Sequence, residues 1–146
     1  MPEPTPSLSE PVYRFAFIIL PESIDENGHV NNVHYVQWMQ DAAVRHYAAQ
    51  GGVPLLQALS ATWVVRSHTV EYLSPAFAGE QIEVRTWVAN LRRVRSLRRY
   101  EFIRKSDDRL LVRGETEWVL VAIGTGRPLA IPESIANLFI LLPDNV

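Results

Sequence analysis

The chain has 146 residues, 47% of them hydrophobic and 21% charged, with a formal net charge of −2. A chain of this length forms one domain with its own hydrophobic core, and its nearly neutral balance argues against binding nucleic acid through bulk charge. The absence of cysteine excludes disulfides, thiolate metal sites and a cysteine nucleophile.

The first eleven residues predict a flexible leader. They contain four prolines and two acidic residues, but neither the basic start nor the apolar centre of a signal peptide. No apolar run approaches the length of about 20 residues that crosses a bilayer. We therefore predict a cytoplasmic protein that does not insert into a membrane, with a single domain over residues 12–146.

A strand and a long helix open the domain. Residues 12–20 (VYRFAFIIL) are aromatic and branched and end at a proline, a pattern typical of a buried strand. A helix is predicted from Asn31 or Asn32 to Gln50, because asparagine is a favoured N-cap and two glycines follow Gln50. Apolar positions cover more than half of the circumference of this helix, so we expect other elements to cover most of it.

Four further strands follow residues 53–61, which are predicted to form a short connection, either irregular or with a helical turn. They are predicted at residues 62–73, 81–91, 97–105 and 110–122, and a short helix is predicted at 132–139. Consecutive strands joined by short turns form an antiparallel sheet. The prediction is an α+β domain in which a curved antiparallel sheet of about five strands wraps around one long central helix. Such a sheet keeps an open edge, which favours dimerisation.

The polar stretch before the long helix is the candidate site. It contains Asp25, Asn27 and His29 and leads to the predicted helix start at Asn32. A helix N-terminus presents unpaired amides, which stabilise an oxygen that becomes negative when a carbonyl is attacked. An acid close to that end could activate water or attack the carbonyl itself. Aspartate and asparagine before a helix are also common caps and turn residues, and spacing alone favours that structural role.

One segment resembles the signature of the hotdog-fold thioesterases: DENGHVNN at residues 25–32, followed by Tyr35 and Trp38. It is similar to the 4-hydroxybenzoyl-CoA thioesterase family of acyl-CoA hydrolases and also to acyl-ACP thioesterases. Weaker similarity at residues 70–75, 116–119 and 126–132 extends the match over most of the chain. The resemblance implies a hotdog fold, in which a first strand, a long helix and an antiparallel sheet follow one another in the order predicted above.

The resemblance also implies roles for individual residues. Asp25 is expected to be the catalytic carboxylate, as nucleophile or as general base, and the backbone N–H of Asn32 is expected to polarise the thioester carbonyl. In the acyl-ACP branch the positions of Asn27 and His29 have catalytic roles as well. Residues 40–43 (QDAA) depart from the family pattern, which often has a glutamate and an Ala-Arg pair. Contacts made by that acid–arginine pair are therefore not expected here.

A basic cluster surrounds the turn between two predicted strands and consists of Arg92, Arg93, Arg95, Arg98 and Arg99. Coenzyme A and the phosphopantetheine of acyl carrier proteins both carry phosphate, which arginine binds well. We predict that Arg92, Arg93 and Arg95 contact CoA phosphates; the alternative is a solvated hairpin whose charges protect a sheet edge. Nucleic-acid binding has no support from aromatic interleaving or from a second basic face.

The predicted function is hydrolysis of acyl-CoA thioesters to the free acid and CoA, without a cofactor. The alternatives are an acyl-ACP thioesterase and a non-catalytic hotdog protein that binds acyl-CoA. His34, His46 and His68 lack metal-ligand spacing, and no Gly-x-Ser-x-Gly elbow of a serine hydrolase is present. The expected partners are the acyl-CoA or acyl-ACP substrate and further copies of the chain in a homodimer or homotetramer.

Overall fold

The computed structural model describes residues 10–143, so most of the predicted leader lies outside the described residues. The elements are, in chain order, β1 (Tyr13–Ile18), α1 (Asn32–Ala49), α2 (Val53–Leu59), β2 (Ala61–Tyr72), β3 (Gln81–Arg92), β4 (Arg95–Arg104), β5 (Arg109–Ala122) and α3 (Glu133–Ala136). No helix among the described residues is both long and apolar enough to cross a membrane.

The five strands form a single antiparallel sheet in the order β1-β3-β4-β5-β2. Each predicted strand is confirmed within two residues at either end. Within the connection over residues 53–61, the alternative with a helical turn is the correct one, and this turn extends to a helix of seven residues, α2. The C-terminal helix is shorter than the predicted 132–139, since α3 spans Glu133–Ala136. Strands β1 and β2 are the two edges of the sheet, and β2 is twice as long as β1, with 12 residues against 6.

Helix α1 packs against the inner strands and forms the main core with them. Its large buried partners come from β3, β4 and β5, and the core includes Tyr35, Met39, Val84, Tyr100, Phe102 and Leu111. Gly114 of β5 permits the closest approach, because a Cβ atom there would lie 2.9 Å from Sδ of Met39. The predicted central helix on a five-stranded sheet is therefore confirmed.

The cover over α1 is less complete than the sequence predicted. Val33 and Val44 remain 67% and 63% exposed, although both belong to the apolar positions of the helix. A sheet contacts only the side of a helix that faces it, so in a single chain the opposite side of α1 stays open to solvent.

Candidate active site

A tight turn connects Asp25 to His29 in front of α1. The backbone N–H of Asp25 donates to the carbonyl of His29 at 3.0 Å, and the N–H of Gly28 donates to the carbonyl of Asp25 at 3.0 Å. Gly28 has a φ of +85°, in the left-handed region that glycine adopts without strain. Ile24 and Val30 pair as an antiparallel bridge at the base of this turn, which fixes the carboxylate relative to the helix that follows.

The carboxylate of Asp25 is partly exposed, and one of its oxygens is used by the turn. Oδ1 accepts the backbone N–H of Asn27 at 2.9 Å, which is the turn-forming role that spacing alone favoured. Oδ2 accepts no hydrogen bond from residues 10–143. The structural and the catalytic roles of Asp25 are therefore compatible, because each uses a different oxygen.

The start of α1 leaves one backbone donor without a partner. Asn31 is the N-cap: its Oδ1 accepts the N–H of Val33 at 3.2 Å, and its carbonyl accepts the N–H of His34 at 3.0 Å. No acceptor within residues 10–143 bonds to the N–H of Asn32, the first residue of the helix. An oxygen of a bound molecule can therefore take this position, where the helix dipole favours negative charge.

The connection between β2 and β3 contacts the Asp25 turn and holds it in place. The carbonyl of Ala76 accepts the N–H of Val30 at 2.9 Å, and the ring of Phe77 lies edge-on to the ring of His29 at 6.4 Å. The hydroxyl of Tyr72 donates to the carbonyl of Asn32 at 3.3 Å. Sequence reasoning assigned no role to Tyr72 or Phe77, although the similarity at residues 70–75 was a signal for the former.

Arg104 is a further support that the sequence did not reveal. Its guanidinium lies 3.3 Å from Glu80 and 3.0 Å from Asp107, and Nη1 also donates to the carbonyl of Pro75 at 3.5 Å. These contacts attach the end of β4 to the β2–β3 connection. Arg104 thus contributes to the position of the site through the connection and not by contact with Asp25.

Tyr35 lies at the end of the first turn of α1, and its side chain is part of the hydrophobic core. Its ring lies edge-on to Trp38 at 5.3 Å and to Phe102 at 5.1 Å. Burial, followed by the negative charge of Glu80, raises the pKa of Tyr35 to about 12, so the hydroxyl stays protonated at neutral pH. Of the two interpretations of Tyr35 and Trp38, acyl pocket or core packing, these contacts favour core packing.

The four predicted catalytic residues lie in one short segment, but their side chains are not all linked. Asn27 is exposed and contacts Asp25 through its backbone N–H. The ring of His29 packs on Phe77 and makes no hydrogen bond to Asp25 within residues 10–143. Asp25 therefore lies in the turn before α1 and the N–H of Asn32 at the first residue of that helix, while the catalytic roles of all four residues stay predictions.

The arginines predicted to contact CoA lie at the other end of the sheet. Strand β3 starts next to the Asp25 turn, where Ile19 bonds to Glu80, and ends at Arg92. The eleven steps between its twelve residues, at about 3.3 Å each, separate the two ends by roughly 36 Å. Arg93 is in the β3–β4 turn, and Arg95 lies 3.5 Å from Glu117. Within one chain, the turn arginines and Asp25 do not converge.

The histidines considered as metal ligands have other partners. Nδ1 of His68 lies 2.8 Å from Oγ1 of Thr116, and Nδ1 of His46 lies 2.8 Å from Nη1 of Arg98. Among residues 10–143 no group of three histidine, aspartate or glutamate side chains is arranged so that it could hold a metal ion.

Comparisons with solved structures show the same fold in several thioesterases. A 1,4-dihydroxy-2-naphthoyl-CoA thioesterase from Synechocystis has a TM-score of 0.78 at 15% identity, over 87% of this chain and 94% of that one. A hypothetical protein from Staphylococcus aureus in complex with CoA has a TM-score of 0.79 at 20% identity, over 91% and 90%. An acyl-ACP thioesterase from Bacteroides thetaiotaomicron has a TM-score of 0.82 at 22% identity, over 96% of this chain and 58% of that one.

The hotdog fold expected from the signature at residues 25–32 is thus confirmed. Comparison with curated protein sequences gives no match. The family model of the thioesterase-like superfamily matches residues 19–139, which contain the Asp25 turn and four of the five strands, β2 to β5. The chain therefore belongs to the thioesterase-like superfamily.

Proposed function

We propose that the protein hydrolyses acyl-CoA thioesters to the free acid and CoA. The observation that carries the proposal is the presence of two uncommitted groups seven residues apart: Oδ2 of Asp25 in the turn before α1 and the N–H of Asn32 at the start of the helix. Thioester hydrolysis needs a base or nucleophile and a donor for the oxyanion. The fold shared with CoA thioesterases supports the same reaction class.

Two routes are compatible with these groups. In the first, Asp25 takes a proton from water, whose oxygen attacks the carbonyl carbon while the N–H of Asn32 binds the oxyanion. The C–S bond then breaks, and the CoA thiolate recovers the proton from Asp25. In the second, the Asp25 carboxylate attacks the carbonyl carbon and expels the thiolate. Water then hydrolyses the resulting anhydride, which gives the free acid, restores the carboxylate and supplies the proton that converts the thiolate to CoA.

The decisive experiment compares Asp25→Asn with Glu26→Gln. Glu26 is the adjacent, exposed acid of the same turn, so this variant controls for a change of charge at the site. On a panel of acyl-CoA thioesters we expect Asp25→Asn to lower kcat by roughly 10²-fold or more, while Glu26→Gln keeps wild-type rates. Full activity of Asp25→Asn on the best substrate would show that the site is wrongly assigned.

An acyl-ACP substrate is the alternative. The similarity to the Bacteroides acyl-ACP thioesterase supports it, although this chain covers 58% of that protein. The same panel therefore includes acyl-ACP thioesters, and a kcat/KM at least tenfold higher for acyl-ACP than for the matching acyl-CoA identifies this alternative. Tight binding of acyl-CoA without turnover of any thioester would instead identify a non-catalytic binding protein.

We further propose that the chain forms a homodimer through the open edge of β2. This strand is twice as long as the other edge strand, β1, and a long unpaired edge is a surface to which a second strand adds readily. Pairing of two β2 strands about a two-fold axis makes one continuous ten-stranded sheet.

A dimer of this kind also accounts for the turn arginines. Antiparallel pairing of the two β2 strands reverses the partner, so the β3–β4 turn of the second copy comes to the end of the joined sheet at which Asp25 lies. Arg92, Arg93 and Arg95 of one copy are then on the same side as the thioester bound by the other. We propose that they bind CoA phosphates across the dimer.

A further inference from the structure

A cavity of about 220 Å³ lies near the C-terminal end of α1. It is bounded by Tyr47 of α1, α2, and strands of the sheet, and most of its wall is apolar. Tyr47 is fifteen residues after Asn32, which corresponds to roughly 22 Å along the helix axis. The fully buried side chains of Met39 and Ala42 occupy the intervening part of α1, so this cavity is separate from the Asp25 site.

The cavity wall contains a buried cation that has no anion beside it. Arg98 is 4% exposed and lines the cavity, and no carboxylate of residues 10–143 forms an ion pair with it. Its Nη1 donates to Nδ1 of His46 at 2.8 Å and to Oγ1 of Thr86 at 3.2 Å. The ring of Phe139 lies 5.7 Å from its guanidinium carbon. All three of these partners are uncharged groups.

Such an arrangement is unusual because a buried charge is stable only when it is paired. Burial lowers the pKa of Arg98 to about 10, which still leaves the guanidinium protonated at neutral pH. Neither Nε nor Nη2 donates to a residue within 10–143. The guanidinium therefore retains donors that an anion in the cavity can accept.

Two more donors on the wall have no partner besides each other. The hydroxyl of Tyr47 and the indole N–H of Trp63 are buried and interact with one another, and neither has a further hydrogen-bond partner within residues 10–143. Both side chains line the cavity, and their rings lie edge to face at 6.3 Å. Buried polar groups are rarely left unsatisfied in proteins, so the free donors of Arg98 and the hydroxyl hydrogen of Tyr47 around one apolar cavity indicate an absent acceptor.

We propose that this cavity binds a small amphipathic carboxylic acid, whose carboxylate accepts hydrogen bonds from Arg98 and whose apolar part fills the remaining volume. An apolar cavity of about 150 Å³ holds benzene, so this one suits an acid of roughly eight to ten heavy atoms. Short fatty acids and monocyclic aromatic acids have this size. The apolar wall selects the hydrocarbon part, and Arg98 selects the acid over a neutral molecule of the same shape.

The test is an NMR titration of the ¹⁵N-labelled full chain with octanoate and with octan-1-ol. The indole N–H signal of Trp63, assigned with Trp63→Phe, reports on the cavity, and the amide signal of Asn32 reports on the candidate active site. We expect octanoate to shift the Trp63 signal with an affinity at least tenfold higher than octan-1-ol. Equal affinities, or a shift confined to Asn32, overturn the proposal.

Arg98→Met removes the charge and keeps much of the side-chain volume, so it should abolish the preference for octanoate over octan-1-ol. Arg127→Met, at an exposed position outside the cavity wall, is the matched control and should retain the preference for octanoate. If Arg98→Met does not fold, Tyr47→Phe replaces it, with an expected severalfold loss of octanoate affinity. Unchanged affinity in the folded variant contradicts the proposal.

Discussion

At the scale of single residues, neighbouring side chains in this chain have opposite environments. Arg98 is buried beside His46, whereas Arg99, the next residue of β4, lies 3.6 Å from Glu115. In Asp25, Oδ1 accepts a hydrogen bond of the turn, whereas Oδ2 has no donor within residues 10–143. In each case the function of a charged group depends on which atoms the fold leaves unpaired, because a paired and a free charge differ greatly in what they can bind.

The buried His46 makes stability depend on pH. Burial, followed by the charge of Arg98, lowers the pKa of His46 to about 3, against 6.5 in the unfolded chain. Between these values the unfolded chain binds more protons, so the contribution of His46 to stability is complete above pH 6.5 and is lost as the pH falls towards 3. The expected slope is up to about 1.4 kcal/mol per pH unit.

Urea unfolding at intervals from pH 4 to pH 7 measures this slope. His46→Gln should reduce it, because the amide oxygen of glutamine still accepts from Arg98 but does not titrate. His34→Gln changes another histidine of α1 and leaves His46 intact, so it should keep the wild-type slope. An unchanged slope in His46→Gln would show that His46 is not a source of the pH dependence.

At the scale of elements, the N-terminus of α1 contributes both to the stability of the helix and to the proposed thioester hydrolysis. The cap formed by Asn31 fixes the first turn of the helix, and the N–H of Asn32 belongs to that turn. The N–H of Asn31 is itself bonded to the carbonyl of Ser23 at 2.9 Å. Loss of the cap therefore affects both the folding of α1 and the position of the proposed oxyanion donor.

We expect Asn31→Ala to lower the free energy of unfolding by about 1 kcal/mol and to reduce kcat for thioester hydrolysis. Asn31→Ser keeps a capping oxygen and should retain most of both properties. Denaturant unfolding and steady-state kinetics of the two variants make the comparison. If the alanine and serine variants are equally stable, the cap contributes little to the helix.

The arginines of the β3–β4 turn lie far from Asp25 in one chain, and their proposed contacts with CoA require a dimer. If its arginines bind CoA phosphates, Arg92→Ala combined with Arg93→Ala should raise KM for acyl-CoA more than for the matching acyl-pantetheine, which lacks those phosphates. Arg109→Ala at an exposed position of β5 is the control. An equal rise in KM for both esters would exclude phosphate binding by this turn.

At the scale of the whole molecule, the exposed side of α1 and the free edge of β2 are surfaces that a second copy can cover. We expect light scattering to give a mass twice the 16.6 kDa of one chain. Amides of β2 that point away from β5 should exchange slowly with deuterium at high protein concentration and faster on dilution. The free edge of β1 is the internal control, since its exchange should not depend on concentration. A monomeric mass at all concentrations would contradict the dimer.

Local patterns in the sequence determine most of the elements. Branched and aromatic runs between turn residues place the five strands, and the apolar period with an asparagine N-cap and two terminal glycines places α1. The segment at residues 25–32 also identifies the candidate loop. These features follow from interactions between residues close in sequence, so they can be predicted without knowledge of the fold.

The tertiary structure decides what the sequence leaves open. Arg92 and Arg98 belong to one cluster in sequence, but the register of β3 and β4 places Arg92 at an exposed strand end and Arg98 in the core. Tyr72 reaches the carbonyl of Asn32 from forty residues away. Only the pairing of strands and the packing of α1 on them set such contacts. Sequence alone therefore identifies the family and the loop, while the fold determines which polar atoms remain free to bind.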